Sequence, residues 1–152
     1  MSKARNLYLE DFEPGDRFES GRLPITEALI VEFARFYDAQ VFHTDPEAAR
    51  ATVYGGLIAS GLQTIALTFK LFLETGALAA CSLGSPGLDD IRWRIPVRPG
   101  DTLYVVAEVL DTQPSTSKPD RGIVRLRYTT LNQRDEPVMT LIGKQLCRRR
   151  PG

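Results

Sequence analysis

The chain has 152 residues, enough for one domain spanning 1–152 that buries roughly two thirds of its unfolded surface without disulfides or metals. Its 19 Lys and Arg balance 19 Asp and Glu, so net charge draws it neither to nucleic acid nor to an anionic membrane. Cys81 and Cys147 lie far apart without CxxC or Cys/His spacing, which argues against a zinc site or disulfide framework and for a reducing, cytoplasmic setting.

The opening MSKARNLYLEDFEPGDRF lacks the apolar core of a signal peptide, and the longest apolar region is broken by Gln63, Lys70 and Glu74, so a soluble protein is expected. Arg17 to Leu23 offers a first strand. From Thr26 to Tyr37 the residues Leu29, Ile30, Phe33, Ala34 and Tyr37 recur at helical spacing, with Thr26 as N-cap and a stop near Asp38. Asp45-Pro46 opens a short second helix, because a capping carboxylate precedes a proline suited to the first helical position. Gly55-Gly56 breaks the chain. A third helix then starts at Ser60, where Ser60 and Gln63 match the S-x-x-Q capping box. Its apolar residues Leu62, Ile65, Ala66, Phe69, Phe72 and Leu73 cover so much of the circumference that the helix should be buried.

Beyond Ser85-Pro86-Gly87 the rhythm becomes alternating, with Ile91, Trp93 and Ile95 opposite Asp90, Arg92 and Arg94. Pro99-Gly100-Asp101 turns the chain into a strand marked by Leu103, Val105, Ala107 and Val109, which ends before the polar DTQPSTSKPDRG. Val124, Leu126 and Tyr128 mark the next, and Val138 to Leu146 the last, weakened at Gly143. Arg148, Arg149 and Arg150 read as a frayed, solvated tail. Helices followed by an antiparallel meander define an α+β class, with the helix from Ser60 as cover for the sheet.

Chemistry concentrates between Tyr37 and Gly61. His43 is the only histidine, hence the only unperturbed side chain able to exchange a proton near neutral pH, and Asp38 lies five residues before it. The spacing permits contact without imposing it, so two readings stand: a proton-transfer pair, or a solvated loop acid beside a hydrogen-bonded turn histidine. Asp38 at a helix C-terminus meets the negative end of the dipole, which raises its proton affinity unless His43 or another donor compensates. Asp45 has a sufficient task as a cap, and one histidine with one acid is too few ligands for structural zinc. At Ser60-Gly61 the first-turn amides lack intrahelical acceptors and glycine admits close approach, so this is either an ordinary helix start or a seat for an oxyanion. Cys81 reads as a buried structural thiol. No GxSxG, GxGxxG or Walker pattern is present.

Asp38, His43 and Asp45, the YGGLIASG segment and the RIPVRPGDTL segment together resemble the MaoC-like dehydratase family, of the (R)-specific enoyl-CoA hydratase type. Asp38, His43 and Asp45 fall in register with that family's Asp-x-Asn-Pro-x-His-x-Asp signature, and Pro96, Val97, Gly100 and Asp101 with its Pro-Val-x-x-Gly-Asp turn. Gln40 and Val41 stand where the family has Asn-Pro, and Ser60 where a histidine is common. The resemblance implies a hotdog fold, an antiparallel sheet wrapped around one long helix, assembled as a homodimer or higher homo-oligomer. It implies Asp38 and His43 as catalytic residues, Gly61 with Ser60 as the substrate and oxyanion site, a coenzyme A thioester as substrate, and no metal or redox cofactor. Arg92, Arg94, Arg98, Lys118 and Arg121 are the candidate phosphate contacts. The expected activity is a lyase of fatty acid metabolism that adds water to a 2,3-enoyl thioester. A hotdog thioesterase and a catalytically weak acyl-thioester binding subunit are the alternatives, and neither nucleic acid nor membrane is an expected partner.

Overall fold

The computed structural model describes residues 6–152. After a 3-10 turn at Leu9–Asp11 come strands β1 (Arg17–Glu19) and β2 (Leu23–Pro24), then helices α1 (Glu27–Tyr37), α2 (Val41–Thr44), α3 (Pro46–Ala49) and α4 (Gly61–Glu74). Strands β3 (Gly87–Trp93), β4 (Thr102–Pro114), β5 (Arg121–Leu131) and β6 (Pro137–Arg148) complete the chain. The sheet is antiparallel in the order β1-β4-β5-β6-β3, with β2 pairing to β4, so β3 forms one edge.

The alternation in β4 and β5 places Leu103, Val105, Ala107, Val109, Val124, Leu126 and Tyr128 in the core. On that face lies α4: the rings of Phe69 and Phe72 stand 5.2 and 5.1 Å from that of Tyr128, and the Thr68 and Thr130 hydroxyls are 2.6 Å apart. This is the expected α+β hotdog arrangement of sheet and long helix. Among the described residues no helix is long and apolar enough to cross a membrane.

Several local expectations need correction. The buried side of α4 is Gln63, Thr64, Leu67, Thr68, Leu71 and Phe72, whereas Leu62, Ala66 and Leu73 are exposed. Threonines enter the core because the Thr68 hydroxyl satisfies itself on the Thr64 carbonyl at 2.7 Å, one turn back. The expected capping box does not form: Ser60 accepts from the Leu62 N–H, one residue short of Gln63, and the Gln63 amide reaches Leu29 O at 2.8 Å instead. Gly143 is no weak point, since a Cβ there would come within 2.6 Å of the Tyr128 ring and the glycine makes room for it. β4 runs four residues into the polar segment, to Pro114, past a register shift between Val109 and Asp111. The arginine tail is tied down: Arg148 ends β6, Arg149 N–H donates to Asp120 O, and Arg150 bonds Glu10 and Asp11.

The two cysteines, far apart in sequence, meet in the core with sulphurs 3.4 Å apart and neither exposed. The Cys147 thiol is pushed far up by its bond to Cys81 and by burial.

Candidate active site

The site is built where α1 ends and α4 begins. Helix α1 is held by its buried Ile30 and Ala34 and capped by Thr26, whose hydroxyl accepts from Leu29 N–H. Its last turn delivers Asp38, whose own N–H closes on Ala34 O. Two residues on, Gln40 O accepts from both His43 N–H and the Thr44 hydroxyl, winding the single helical turn of α2 around the turn histidine. Asp45 ends that turn and caps α3 through bonds from Glu47 and Ala48 N–H, as expected. Residues 57–60 are all buried. Ile58 N–H donates to Phe42 O and Ala59 N–H to Val97 O, so this segment is clamped between α2 and the β3–β4 connection before Ser60 caps α4.

These constraints bring Asp38 and His43 together: His43 Nε2 lies 3.3 Å from Asp38 Oδ2. The other ring nitrogen, Nδ1, is 2.7 Å from Ile58 O. A carbonyl oxygen only accepts, so Nδ1 carries a hydrogen, and Nε2 is the ring nitrogen turned to Asp38 and the cavity. Asp38 also receives the Ser60 hydroxyl on Oδ2 and the Gln40 amide on Oδ1, each at 2.7 Å. Partial burial raises the proton affinity of Asp38, but the bonds from Ser60 and Gln40, with the charge of His43, outweigh it and hold the carboxyl below the ordinary aspartate value. The helix-end penalty expected from sequence is thus compensated, chiefly by two donors that sequence reasoning did not connect to Asp38. Ser60 is 22 residues away, and no local pattern signals the contact.

Asp38, His43 and Gly61 share a cavity of about 530 Å³ with Thr64, Trp93 and Val138. Ser60 does not line it; its hydroxyl is committed to Asp38 and Leu62 N–H within a fully buried position. Gly61 does line it, and among the described residues nothing accepts a hydrogen bond from its N–H. The glycine is required there by Trp93: a Cβ would come within 2.5 Å of the indole, whose Nε1–H donates to Gly61 O at 3.1 Å. Of the candidate phosphate contacts, Arg94 lines the cavity. Arg98 donates to Tyr54 O and Arg121 pairs with Asp120, while Arg92 borders a separate shallow dent and Lys118 sits in the β4–β5 turn.

An antiparallel sheet packed on one long helix, with Asp38 and His43 set against that helix's first turn, defines an α+β hotdog protein with a candidate site at this junction. The MaoC-like domain model matches residues 11–131, and the chain belongs to that family. Its sequence is 34% identical over 132 residues to YdeM of Bacillus subtilis, covering 87% of this chain and 92% of that protein. The crystal structure of the MaoC-like dehydratase from Rhodospirillum rubrum is similar at 44% identity and a TM-score of 0.89, covering 96% of this chain and 99% of that one. The unliganded R-hydratase PhaJ1 from Pseudomonas aeruginosa is similar at 25% identity and a TM-score of 0.73, covering 95% and 88%.

Proposed function

We propose that this protein is an (R)-specific hydratase/dehydratase that adds water reversibly across the 2,3 double bond of an enoyl thioester, with coenzyme A as the acyl carrier. The observation that carries the reading is the convergence of Asp38, His43 and the free Gly61 N–H on one cavity. Addition needs a water held and deprotonated at C3, a proton returned to C2, and a donor for the negative charge that collects on the thioester oxygen. Asp38 and His43 hold the water through two acceptors. The C=C π bond breaks as C3–O and C2–H bonds form, and the transient enolate oxygen faces Gly61 N–H at the positive end of α4. A placed acid–base group contributes about a hundredfold to ten-thousandfold in rate, and one oxyanion donor about 3 to 4 kcal/mol. No metal or redox cofactor enters these steps.

The working unit in this reading is a homodimer. The exposed Leu62, Ala66 and Leu73 on α4 and Trp93 on β3 offer apolar surface, and β3 a free strand edge, whose burial would stabilise such a pair. A panel of enoyl-CoA thioesters of graded length and branching tests the activity by loss of the conjugated absorbance. Hydration by the wild type is the expected result. Release of free coenzyme A from saturated acyl-CoA, or tight binding without turnover across the panel, would overturn the hydratase assignment.

A further inference from the structure

The cavity at the start of α4 has two unlike ends. Resting on the hydratase reading above, we propose that Trp93 and Arg94 form its carrier end, which receives the thioester sulphur and the phosphorylated arm behind it, and that Phe42 and Tyr54 form the end that receives the acyl tail. Trp93 and Phe42 are then specificity-determining residues for opposite parts of one substrate.

The order of the walls follows from their hydrogen bonds. Residues 58–61 run alongside residues 93–97 in the opposite sense, since Ala59 N–H donates to Val97 O at 2.8 Å and the Trp93 indole N–H to Gly61 O at 3.1 Å. Beyond Ala59, Ile58 N–H donates to Phe42 O at 2.9 Å, and the Phe42 ring stands 5.1 Å from that of Tyr54. Trp93 with Gly61 therefore marks one end of the cavity, and Phe42 with Tyr54 the other. Asp38 and His43 stand between them, the first on the Ser60 hydroxyl and the second on the Ile58 carbonyl. Seen from Gly61, the pair lies toward Ile58 and away from Trp93.

A thioester oxygen on Gly61 N–H sets C1 at the helix start, and hydration needs C3 at the pair. The line from C1 to C3 thus points toward Ile58, so the carbons after C3 continue to Phe42. Sulphur, the other substituent of C1, faces the opposite way, toward Trp93. The indole suits it: the ring fills the space of a Cβ on Gly61, 2.5 Å from that position, and Cβ directions tilt toward a helix N-terminus as the N–H groups do. The ring therefore flanks the approach to Gly61 N–H, and sulphur beside an aromatic ring is a favourable contact. Exposure agrees with this direction. Leu62, Trp93 and Arg94 are exposed, whereas Ile58, Ala59 and Val97 are buried, so the polar arm has a way to solvent and the apolar tail a way out of it. Among the described residues Arg94 makes no ion pair; its guanidinium donates to the Thr140 hydroxyl at 3.3 Å, which leaves its charge for a phosphate of the arm. Arg94 also borders the shallow dent, where Arg92 and Arg127 stand against the carboxylate of Asp90.

Crotonyl and octenoyl groups, each carried on coenzyme A and on N-acetylcysteamine, read the two ends separately, because the short carrier keeps the sulphur and drops the phosphates. Trp93→Ala should raise KM on both carriers by about 2- to 10-fold and leave the octenoyl-to-crotonyl preference within about twofold. Arg94→Gln should raise KM for the coenzyme A thioesters about 3- to 10-fold more than for the short ones, and added salt should shrink that excess. Phe42→Ala should shift the chain-length preference toward octenoyl by about tenfold and leave the ratio between carriers within about twofold. Phe42→Leu carries the same readout at smaller size if the alanine variant does not fold. A chain-length preference that moves with Trp93→Ala and not with the Phe42 variants places the tail at the β3 end and overturns the proposal. An unchanged ratio between carriers in Arg94→Gln overturns it too. If the wild type hydrates no enoyl thioester, the hydratase reading fails on its own. The same ratios are then measured as dissociation constants of the saturated butyryl and octanoyl thioesters, and a wild type that binds none of them overturns the two-ended cavity as well.

Discussion

Asp38 and His43 approach to 3.3 Å, and Cys81 and Cys147 to 3.4 Å, so the fold brings together two pairs of reactive side chains at nearly the same separation. Their surroundings differ. The first pair opens on a cavity, is fed by donors from Ser60 and Gln40, and has one ring nitrogen anchored to Ile58 O. The second is sealed between the segment after α4 and β6, with neither sulphur exposed and the Cys147 thiol held protonated. Closeness makes contact; chemistry also needs access and groups that favour the reactive form.

The largest expected effect separates the pairs by activity. His43→Ala and Asp38→Asn should each lower kcat/KM by about a hundredfold to ten-thousandfold with little change in thermal midpoint, whereas Cys147→Ala should leave kcat/KM within about twofold. Steady-state kinetics and melting curves on the three variants decide it. Next, Gly61→Ala drives a Cβ into the Trp93 indole and should cost about 1 to 3 kcal/mol of stability along with most activity. Chemical unfolding measures the first, and adding Trp93→Ala should recover part of the stability. For the sealed pair the expected signature is stability without activity: Cys81→Ala should destabilise by about 1 to 2 kcal/mol, and a thiol-alkylating reagent should label native protein only as fast as it opens. The smallest effect is on pH dependence of stability. Asp38 has its folded proton affinity below the unfolded one, so its contribution is present above the ordinary aspartate value of about 4 and is lost as pH falls through the folded value. The stability gap between wild type and Asp38→Asn should accordingly close below about pH 4, as measured by urea unfolding across pH.

What the sequence disclosed follows from the range of the forces involved. The caps at Thr26, Asp45 and Ser60 are local bonds spanning two or three residues, and all three form. Strand alternation in β4 and β5 is equally local, and Leu103 to Val109 and Val124 to Tyr128 are inside as expected. The four-residue α2 escaped because one turn carries no periodicity; its winding depends on Gln40 O serving two donors. The face of α4 was misjudged because apolar count was equated with burial, while Thr64 and Thr68 could turn inward once a hydroxyl bonded back along the helix. For the candidate site, Asp38, His43 and Gly61 were legible through the family resemblance and do share one cavity. The Ser60 to Asp38 bond was not legible, because it depends on where residues 57–60 are clamped against α2 and the β3–β4 connection.

Trp93 has a use beyond shaping Gly61. It is the only tryptophan in the chain, half-exposed, and its indole forms part of the cavity wall while its N–H is bonded to the first residue of α4. Excitation of tryptophan therefore interrogates one location, and an acyl thioester that displaced water from that ring would shift its emission toward the blue. The protein carries its own optical reporter of cavity occupancy, which allows ligands to be ranked by titration with no label attached and no reaction taking place.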